Sequence, residues 1–500
     1  LLYKIITFYK KINYDSFKIN KKLMNRLIAI FICLLTVNIN ICLSNNDISV
    51  ETKEHQISKI IITGNKITKE SIILRELSFK KGDLIDIAKL KKIEDESKVN
   101  LTNLNLFNFI TISNTVNEKN IIILIEVIER WYIWPYPILE ISERNFNVWW
   151  DEFKSSNYSD FSRFNYGLFL NIENFRGQNE LLMLKFRKGF KEHYMLSYET
   201  PNINKQKTLG INTHLEFFRR KKTFYQTINN ELVYFEDNNS YTSNEMLLNI
   251  EFVFRKNLKT KHKINLDYHA TKVNTEIILR NPNYLLNTND KGSFGKLSYQ
   301  LIHENRNSNI YPTNGNYFDI EISKNIAFKS PIDHYEVNFQ LEKHKHISNK
   351  FILGSSLKSR ISNADGLAYF ANQTLGFEDY VRGYEFYVVD GKDFYLSKTA
   401  LKFILIENKK IDLPYIKRKQ FNKAHFSIYA TVFSDLGYSN IRHNYNQNSL
   451  ENTLLWGRGF SIDYVTYYDK MLRIEFSVNE LGEKGVFLHF SNPFGETNKK

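Results

Sequence analysis

From Phe164 to the C-terminus, apolar and polar residues alternate with a period of two, and this pattern constrains the chain more than any other feature. In Leu472 to Glu480, for example, Leu472, Ile474, Phe476 and Val478 alternate with Arg473, Glu475, Ser477 and Asn479. A strand with that spacing carries one apolar row and one polar row. The same reading holds for Glu180 to Lys188, Glu245 to Lys256, Lys261 to Lys272, Asn316 to Lys324 and His334 to His344. Strands of about 9–11 residues are long enough to cross a bilayer when tilted. Two rows of opposite character suit lipid on one side and a polar lumen on the other. Eleven strands are placed between 164 and 361, one of them at 230–236, and five between 398 and 491. The even total of sixteen lets the first and last strands meet antiparallel. All eight prolines fall outside these strand interiors, as expected for a residue that cannot donate a ladder hydrogen bond. The expected fold is a transmembrane β-barrel of about 16 antiparallel strands over residues 164–500, preceded by a small α+β domain.

Only one apolar run, Leu27 to Val37, has the character of a targeting or spanning segment, so a polytopic helical membrane protein is excluded. Met24-Asn25-Arg26 precedes it and Cys42-Leu43-Ser44 follows at a cleavage-like position, the layout of a secretory signal. Residues 24–44 are therefore expected to be the signal peptide and residues 1–23 upstream translation. Both cysteines, Cys33 and Cys42, lie in the segment expected to be removed, which leaves no thiol for a disulfide or metal site. The net charge of +14 loses the +6 of residues 1–44 (seven Lys/Arg against one Asp) and falls to +8. These charges are spread over strands and turns without a basic helix or finger, so no nucleic-acid partner is expected.

Between leader and barrel, Ile57 to Gly64 reads as a strand ending in a Gly-Asn turn. Thr68 is placed to cap a helix reaching Leu77. Asp86 opens a second helical pattern through Leu90, Ile93, Leu101 and Leu104, interrupted by Ser97. Strands Phe109 to Val116 and Ile121 to Ile128 follow. This β-α-α-β-β unit at 57–128 has an exposed sheet edge able to accept an extended chain. Residues 129–163, with Trp131, Tyr132, Trp134, Tyr136 and Trp149-Trp150, are read as an aromatic linker at the membrane face.

Two short motifs stand out within the barrel region. Val381-Arg382-Gly383-Tyr384 sits in a segment of roughly 35 residues between two strand patterns, and Phe433-Ser434-Asp435-Leu436-Gly437 lies on a later strand. In order and spacing they resemble the loop-six signature and its partner strand in the BamA/TamA-type outer-membrane insertase and transporter superfamily, also called the bacterial surface antigen family. The 57–128 unit resembles that superfamily's periplasmic POTRA domain, through Ile62 to Asn65, Arg75-Glu76-Leu77 and Leu106-Phe107. The stretch Arg306 to Gly315, with Pro312, resembles a further family marker.

The resemblance implies that Val381, Arg382, Gly383 and Tyr384 fold back into the lumen and that Arg382 meets Asp435, between Phe433 and Gly437. It implies that Gly457 and Gly459 leave room for the loop tip. It also implies that the aromatic chain end, with Phe487, Phe490 and Phe494 as candidates, is a terminal strand signal read by assembly machinery. A weakly paired seam would then join Phe164–Asn171 to Gly485–Ser491. No nucleophile elbow, phosphate loop, His-Glu-x-x-His or cysteine cluster is found, so no catalytic residue, metal site or cofactor is expected. The implied function is ATP-independent insertion or translocation of polypeptides at the outer membrane of a Gram-negative bacterium, with the POTRA domain in the periplasm. A two-partner-type secretion pore or a passive channel is the alternative. The implied partners are the outer-membrane bilayer, unfolded outer-membrane or secreted polypeptides, and periplasmic chaperones or accessory lipoproteins.

Overall fold

The computed structural model describes residues 54–491, except 118–119, 142–152, 160, 162, 287–288, 365–367, 419–420, 442–447 and 467–469. The leader, both cysteines, Trp149-Trp150 and Phe494 lie outside the described residues.

The N-terminal unit comprises β1 (Glu54–Thr63), α1 (Glu70–Arg75), β2 (Leu84–Asp86), α2 (Ile87–Thr102), β3 (Phe107–Asn117) and β4 (Asn120–Glu129). Its sheet has the order β2-β1-β4-β3, with β1 and β4 parallel and β3 forming a free edge. Ile121, Ile123 and Ile125 alternate along β4 onto one face, where they are buried with Ile57, Ile72 and Leu101. Strand β2 is too short to have shown a period in the sequence. The helix start also differs from expectation: Lys69 occupies the cap position. The Glu129 carboxylate accepts from the backbone N–H of Lys66, Ile67 and Thr68 at 3.1, 3.1 and 2.6 Å. Ser97 does not break α2. Its buried hydroxyl donates to Ile93 O and accepts from Ser78 N, which satisfies it inside the core.

Among the described residues the second sheet has sixteen antiparallel strands. In chain order the first eleven are β5 (Ile133–Ile141), β6 (Phe164–Glu173), β7 (Leu181–Gly189), β8 (Lys191–Thr200), β9 (Leu209–Arg220), β12 (Ser243–Phe254), β13 (Thr260–Val273), β14 (Lys291–Glu304), β15 (Gly315–Ala327), β16 (Tyr335–His346) and β17 (Phe351–Ser362). The last five are β20 (Asp393–Asp412), β21 (Lys423–Asn440), β22 (Leu454–Thr466), β23 (Lys470–Val478) and β24 (Lys484–Ser491). Phe186, Phe217, Leu266, Val432, Ile474 and Val486 of the apolar rows are exposed, as a lipid-facing surface requires.

Two expectations are corrected. Part of the expected linker is β5, the first strand of the sheet, paired with β6 from Ile133↔Ile172 to Ile141↔Phe164. Pro135 and Pro137 hid it, but they occupy an edge strand, where a missing donor costs least. Conversely, 230–236 is not part of this sheet: β10 (Lys222–Ile228) and β11 (Glu231–Glu236) form a separate hairpin. A strand was lost at one place and gained at another, so the total was unchanged. Trp134 and Tyr136 share the face of buried Ile138, opposite the exposed Ile133 and Leu139. They line the inside of the sheet and do not form an outer girdle.

The sheet is rolled. In the hairpin that follows the fifth strand, Asn230 N–H donates to Asn448 Oδ1 at 2.9 Å, in the loop after the thirteenth strand. Strands eight places apart in a set of sixteen lie on opposite walls. Among the described residues no ladder joins β24 to β5, so these two strands are the edges of the seam, and not Phe164–Asn171 as expected, which lies on β6 and is paired on both sides.

The N-terminal unit sits against the turns at the rim where β5 begins. Glu76 and Arg255 form a two-pronged pair, Nη1 to Oε1 at 2.5 Å and Nη2 to Oε2 at 2.8 Å. Arg75 donates to the carbonyls of Arg255 and Lys207 at 2.8 and 3.2 Å, and Lys69 N–H to Gly177 O at 2.9 Å. Arg255→Ala strands the buried Glu76 carboxylate and should weaken this clasp by about 2 kcal/mol, less than for a fully buried pair because Arg255 keeps some solvent contact. The measurement is the rate of protease nicking at residues 129–132 in detergent micelles. An unchanged rate would mean the clasp does not hold the two parts together.

Candidate functional site

Loop six spans residues 363–392 between β17 and β20, carries its own short pair β18 (Gln373–Leu375) and β19 (Val389–Asp390), and turns inward so that a charge at its tip meets the wall. Arg382 is 5% exposed and Asp435 is 0% exposed. Arg382 donates Nε to Asp435 Oδ2 at 2.7 Å and Nη2 to Oδ1 at 2.6 Å, and its backbone N–H reaches Oδ2 at 3.3 Å. A planar two-pronged pair fixes orientation as well as charge. Beneath it the Phe433 ring lies 3.7 Å from the guanidinium carbon, close enough for a cation–π contact.

The wall provides the space. In the ladder between β21 and β22, Asp435 faces Gly457 and Phe433 faces Gly459. A Cβ at Gly457 would overlap the Arg382 carbonyl, and one at Gly459 would overlap the Phe476 carbonyl of the neighbouring strand and press on the Phe433 ring. At Gly437 it would overlap the Val381 side chain. Gly383 has φ +92°, in the region that disfavours a side chain. Its carbonyl accepts from Asn479 Nδ2 at 2.9 Å, and the buried Tyr384 hydroxyl accepts from Glu480 N–H at 3.2 Å. Val381, Tyr384, Leu375 and Leu455 form one buried cluster.

Three elements of the site were missed from the sequence. Glu475 of β23 is a second buried carboxylate, 3.9 Å from Arg382 Nη1. Tyr380 stacks on His489 of β24 at 5.9 Å, and Phe386 packs against Phe487 at 5.6 Å, so the loop also grips the terminal strand. From the other rim, the turn 305–314 enters the lumen. Tyr311 stacks on Tyr429 at 4.7 Å and donates to Asp463 Oδ2 at 2.8 Å, while Lys402 Nζ donates to Pro312 O at 3.0 Å. Asp463 is held from the other side by Arg473, at 2.7 and 3.0 Å. The polar row of β23 was legible, but its partners in space were not. Phe487 points inward to loop six. Phe490 lies on β24, and Phe494 is outside the described residues.

The sequence matches the model of the Omp85 superfamily domain over residues 174–466, more than half of the chain. The chain belongs to the Omp85 superfamily. Residues 55–130 match the POTRA model, described as a surface antigen variable number repeat. The Omp85 fold is a transmembrane β-barrel, and membership places it in the outer membrane of a Gram-negative bacterium with the POTRA domain in the periplasm. The general activity is that of an insertase or transporter. Solved structures similar to it include BamA from Haemophilus ducreyi lacking POTRA domains 1–3, 14% identical, covering 87% of this chain and 84% of that one, with TM-score 0.46. CdiB from Acinetobacter baumannii is 12% identical, with 88% and 73% covered and TM-score 0.46. CdiB from Escherichia coli is 9% identical, with 90% and 92% covered and TM-score 0.46. No curated protein matches the sequence.

Removing either partner of the central pair leaves a buried charge uncompensated, which costs about 3–5 kcal/mol. Arg382→Ala and Asp435→Ala should each release the loop tip, and the double variant should cost clearly less than the sum of the two. Protease access to loop six in folded, heat-modifiable protein reads the effect. Strict additivity would mean that the two residues do not act as a pair.

Proposed function

We propose that this Omp85 protein inserts client polypeptides into the outer membrane without nucleotide, capturing them at the POTRA edge β3 and passing them to the seam between β5 and β24. The observation that carries this reading is the seam. Among the described residues, fourteen strands of this sheet have ladders on both sides, whereas β5 and β24 each have one. An unpaired backbone edge in lipid is costly, so a client strand that pairs there is stabilised. A passive channel is less well supported, because loop six and the turn 305–314 both occupy the lumen against the β20–β24 wall.

The two edges are unequal. Glu173 N–H donates to Tyr132 O at 2.8 Å, so even-numbered residues of β5 direct their backbone groups to β6 and odd-numbered ones to the free edge. Pro135 and Pro137 therefore remove two donors from that edge, a blunted edge of the kind that resists strand addition. On β24 the pairing of Asn479 N–H with Glu483 O at 3.1 Å turns Lys484, Val486 and Leu488 to the free edge, each with its donor intact. The client strand is thus received mainly on β24.

Val486→Pro removes one donor from that edge without breaking a ladder bond of the barrel. It should lower assembly of client barrels in the outer-membrane proteome several-fold at equal levels of the variant, whereas Pro135→Val should not. Normal client levels in Val486→Pro cells would overturn the assignment to β24. Loss of one secreted polypeptide from the medium, with the membrane proteome intact, would replace insertion by secretion.

A further inference from the structure

The side chains that bring loop six to the terminal strand include three polar groups that the Arg382–Asp435 pair does not use. Glu385 of the loop, Glu475 of β23 and His489 of β24 place one ligand atom each so that all lie within 4.8 Å of one another. Glu475 is 0% exposed, and neither of its carboxylate oxygens has a hydrogen-bond partner. Arg382 Nη1, at 3.9 Å, is too far to supply one. Glu385 Oε1 and His489 Nε2 are also buried without a hydrogen-bond partner, and they are 4.0 Å apart. A buried carboxylate with both oxygens bare is expensive, and here the bare atoms of three residues converge.

The neighbouring groups orient these atoms toward a common centre. Glu385 Oε2 accepts from Gly383 N–H at 2.8 Å, which leaves Oε1 free. His489 Nδ1 lies 3.3 Å from the Tyr380 hydroxyl. The tautomer with its proton on Nδ1 donates it to Tyr380 and leaves the Nε2 lone pair facing the two carboxylates, the way a metal-binding imidazole is usually held. The nearby cations are engaged elsewhere: Arg382 with Asp435, Arg473 with Asp463, and Lys398 over the Tyr380 ring at 4.5 Å. Glu385 and Glu475 are thus left as two carboxylates without a close hydrogen-bonded cation.

We propose that Glu385, Glu475 and His489 bind a transition-metal dication of the Zn²⁺ type, which fastens loop six to β23 and the terminal strand β24. One imidazole and two carboxylates form a donor set that zinc accepts, with a fourth position open to water. Calcium and magnesium would favour an all-oxygen set. Ligand atoms on a tetrahedral zinc are about 3.3 Å apart, given bonds of about 2.0 Å. The three side chains therefore need to close by up to about 1.5 Å from their present limit of 4.8 Å, within the reach of two glutamates. Because β24 is a seam strand, the bound ion would restrain the strand that a client must pair with. That consequence rests on the insertion reading, whereas the site itself does not.

The test uses tag-free full-length protein in detergent micelles, stripped with EDTA, equilibrated with Zn²⁺ and separated from free metal, with zinc per chain measured by mass spectrometry. The proposal expects about one zinc per chain in the wild type, loss of that zinc in Glu475→Gln and His489→Gln, and retention in His262→Gln on the outer face. Heat-modifiable migration controls for folding. Should the β23 and β24 variants not fold, Glu385→Gln on the loop reports instead, and Co²⁺ loading of the wild type should give the visible absorption of a low-coordinate N/O site. No zinc in the wild type, or full zinc in the folded variants, would overturn the site. Client assembly is scored separately: stoichiometric zinc with no effect of EDTA on assembly removes the seam consequence and leaves the site.

Discussion

Every backbone N–H and C=O that enters lipid has to be paired within the protein, and the rest of this structure follows from how far that pairing goes. Among the described residues, sixteen strands satisfy it along their ladders, and two edges are left. Those edges are β5, with Pro135 and Pro137 removing donors from its free side, and β24, whose donors are intact. The same constraint governs the interior. Residues that alternate inward include Asp435, Asp463 and Glu475, carboxylates buried in a wall whose other face meets lipid. Each needs a compensating group brought from elsewhere in the chain.

Two of them receive a guanidinium. Arg382 comes from loop six on one rim and joins Asp435, while Arg473 on the adjacent strand holds Asp463 together with Tyr311, which reaches in from the turn on the other rim. Charge pairing therefore draws two connecting segments into the lumen and packs both on the β20–β24 wall. Glycine makes this possible above all at Gly457, where a single methyl would collide with the Arg382 carbonyl. Of these three, Glu475 has no hydrogen-bond partner among the described residues, and it sits where loop six touches the last strand.

The POTRA domain is joined to the barrel by the same physics. Its connection into β5 is short, so its helix end at Arg75 and Glu76 lies within reach of the turns at 201–208 and 255–259, and Arg255 closes the gap. Glu129, at the end of β4, satisfies three backbone donors ahead of α1 and so sets the angle at which that helix leaves. A client captured at β3 would thus be held near the barrel rim. That link between domain placement and function belongs to the proposal of insertion at the seam.

Much of this was legible in the chain itself. Period-two alternation gave a long sheet, because lipid and lumen impose opposite demands on successive residues. The resemblance carried by the two motifs implied Arg382, Asp435 and the glycines opposite, which a two-residue repeat alone would not have paired. Local pattern failed where composition hid the geometry, at β5 with its two prolines, and where geometry was not local, at the 230–236 hairpin that alternates without joining the barrel. Nothing in the sequence pairs Glu385 with His489, or Tyr311 with Asp463, since residues so distant in the chain are brought together only by the rolling of the sheet and the inward turn of its loops. Sequence alone determined which residues face lipid and which face the lumen, since that depends on a two-residue repeat. Tertiary structure alone decided which lumenal charges meet, because that depends on how far around the wall each strand is carried before a loop turns inward.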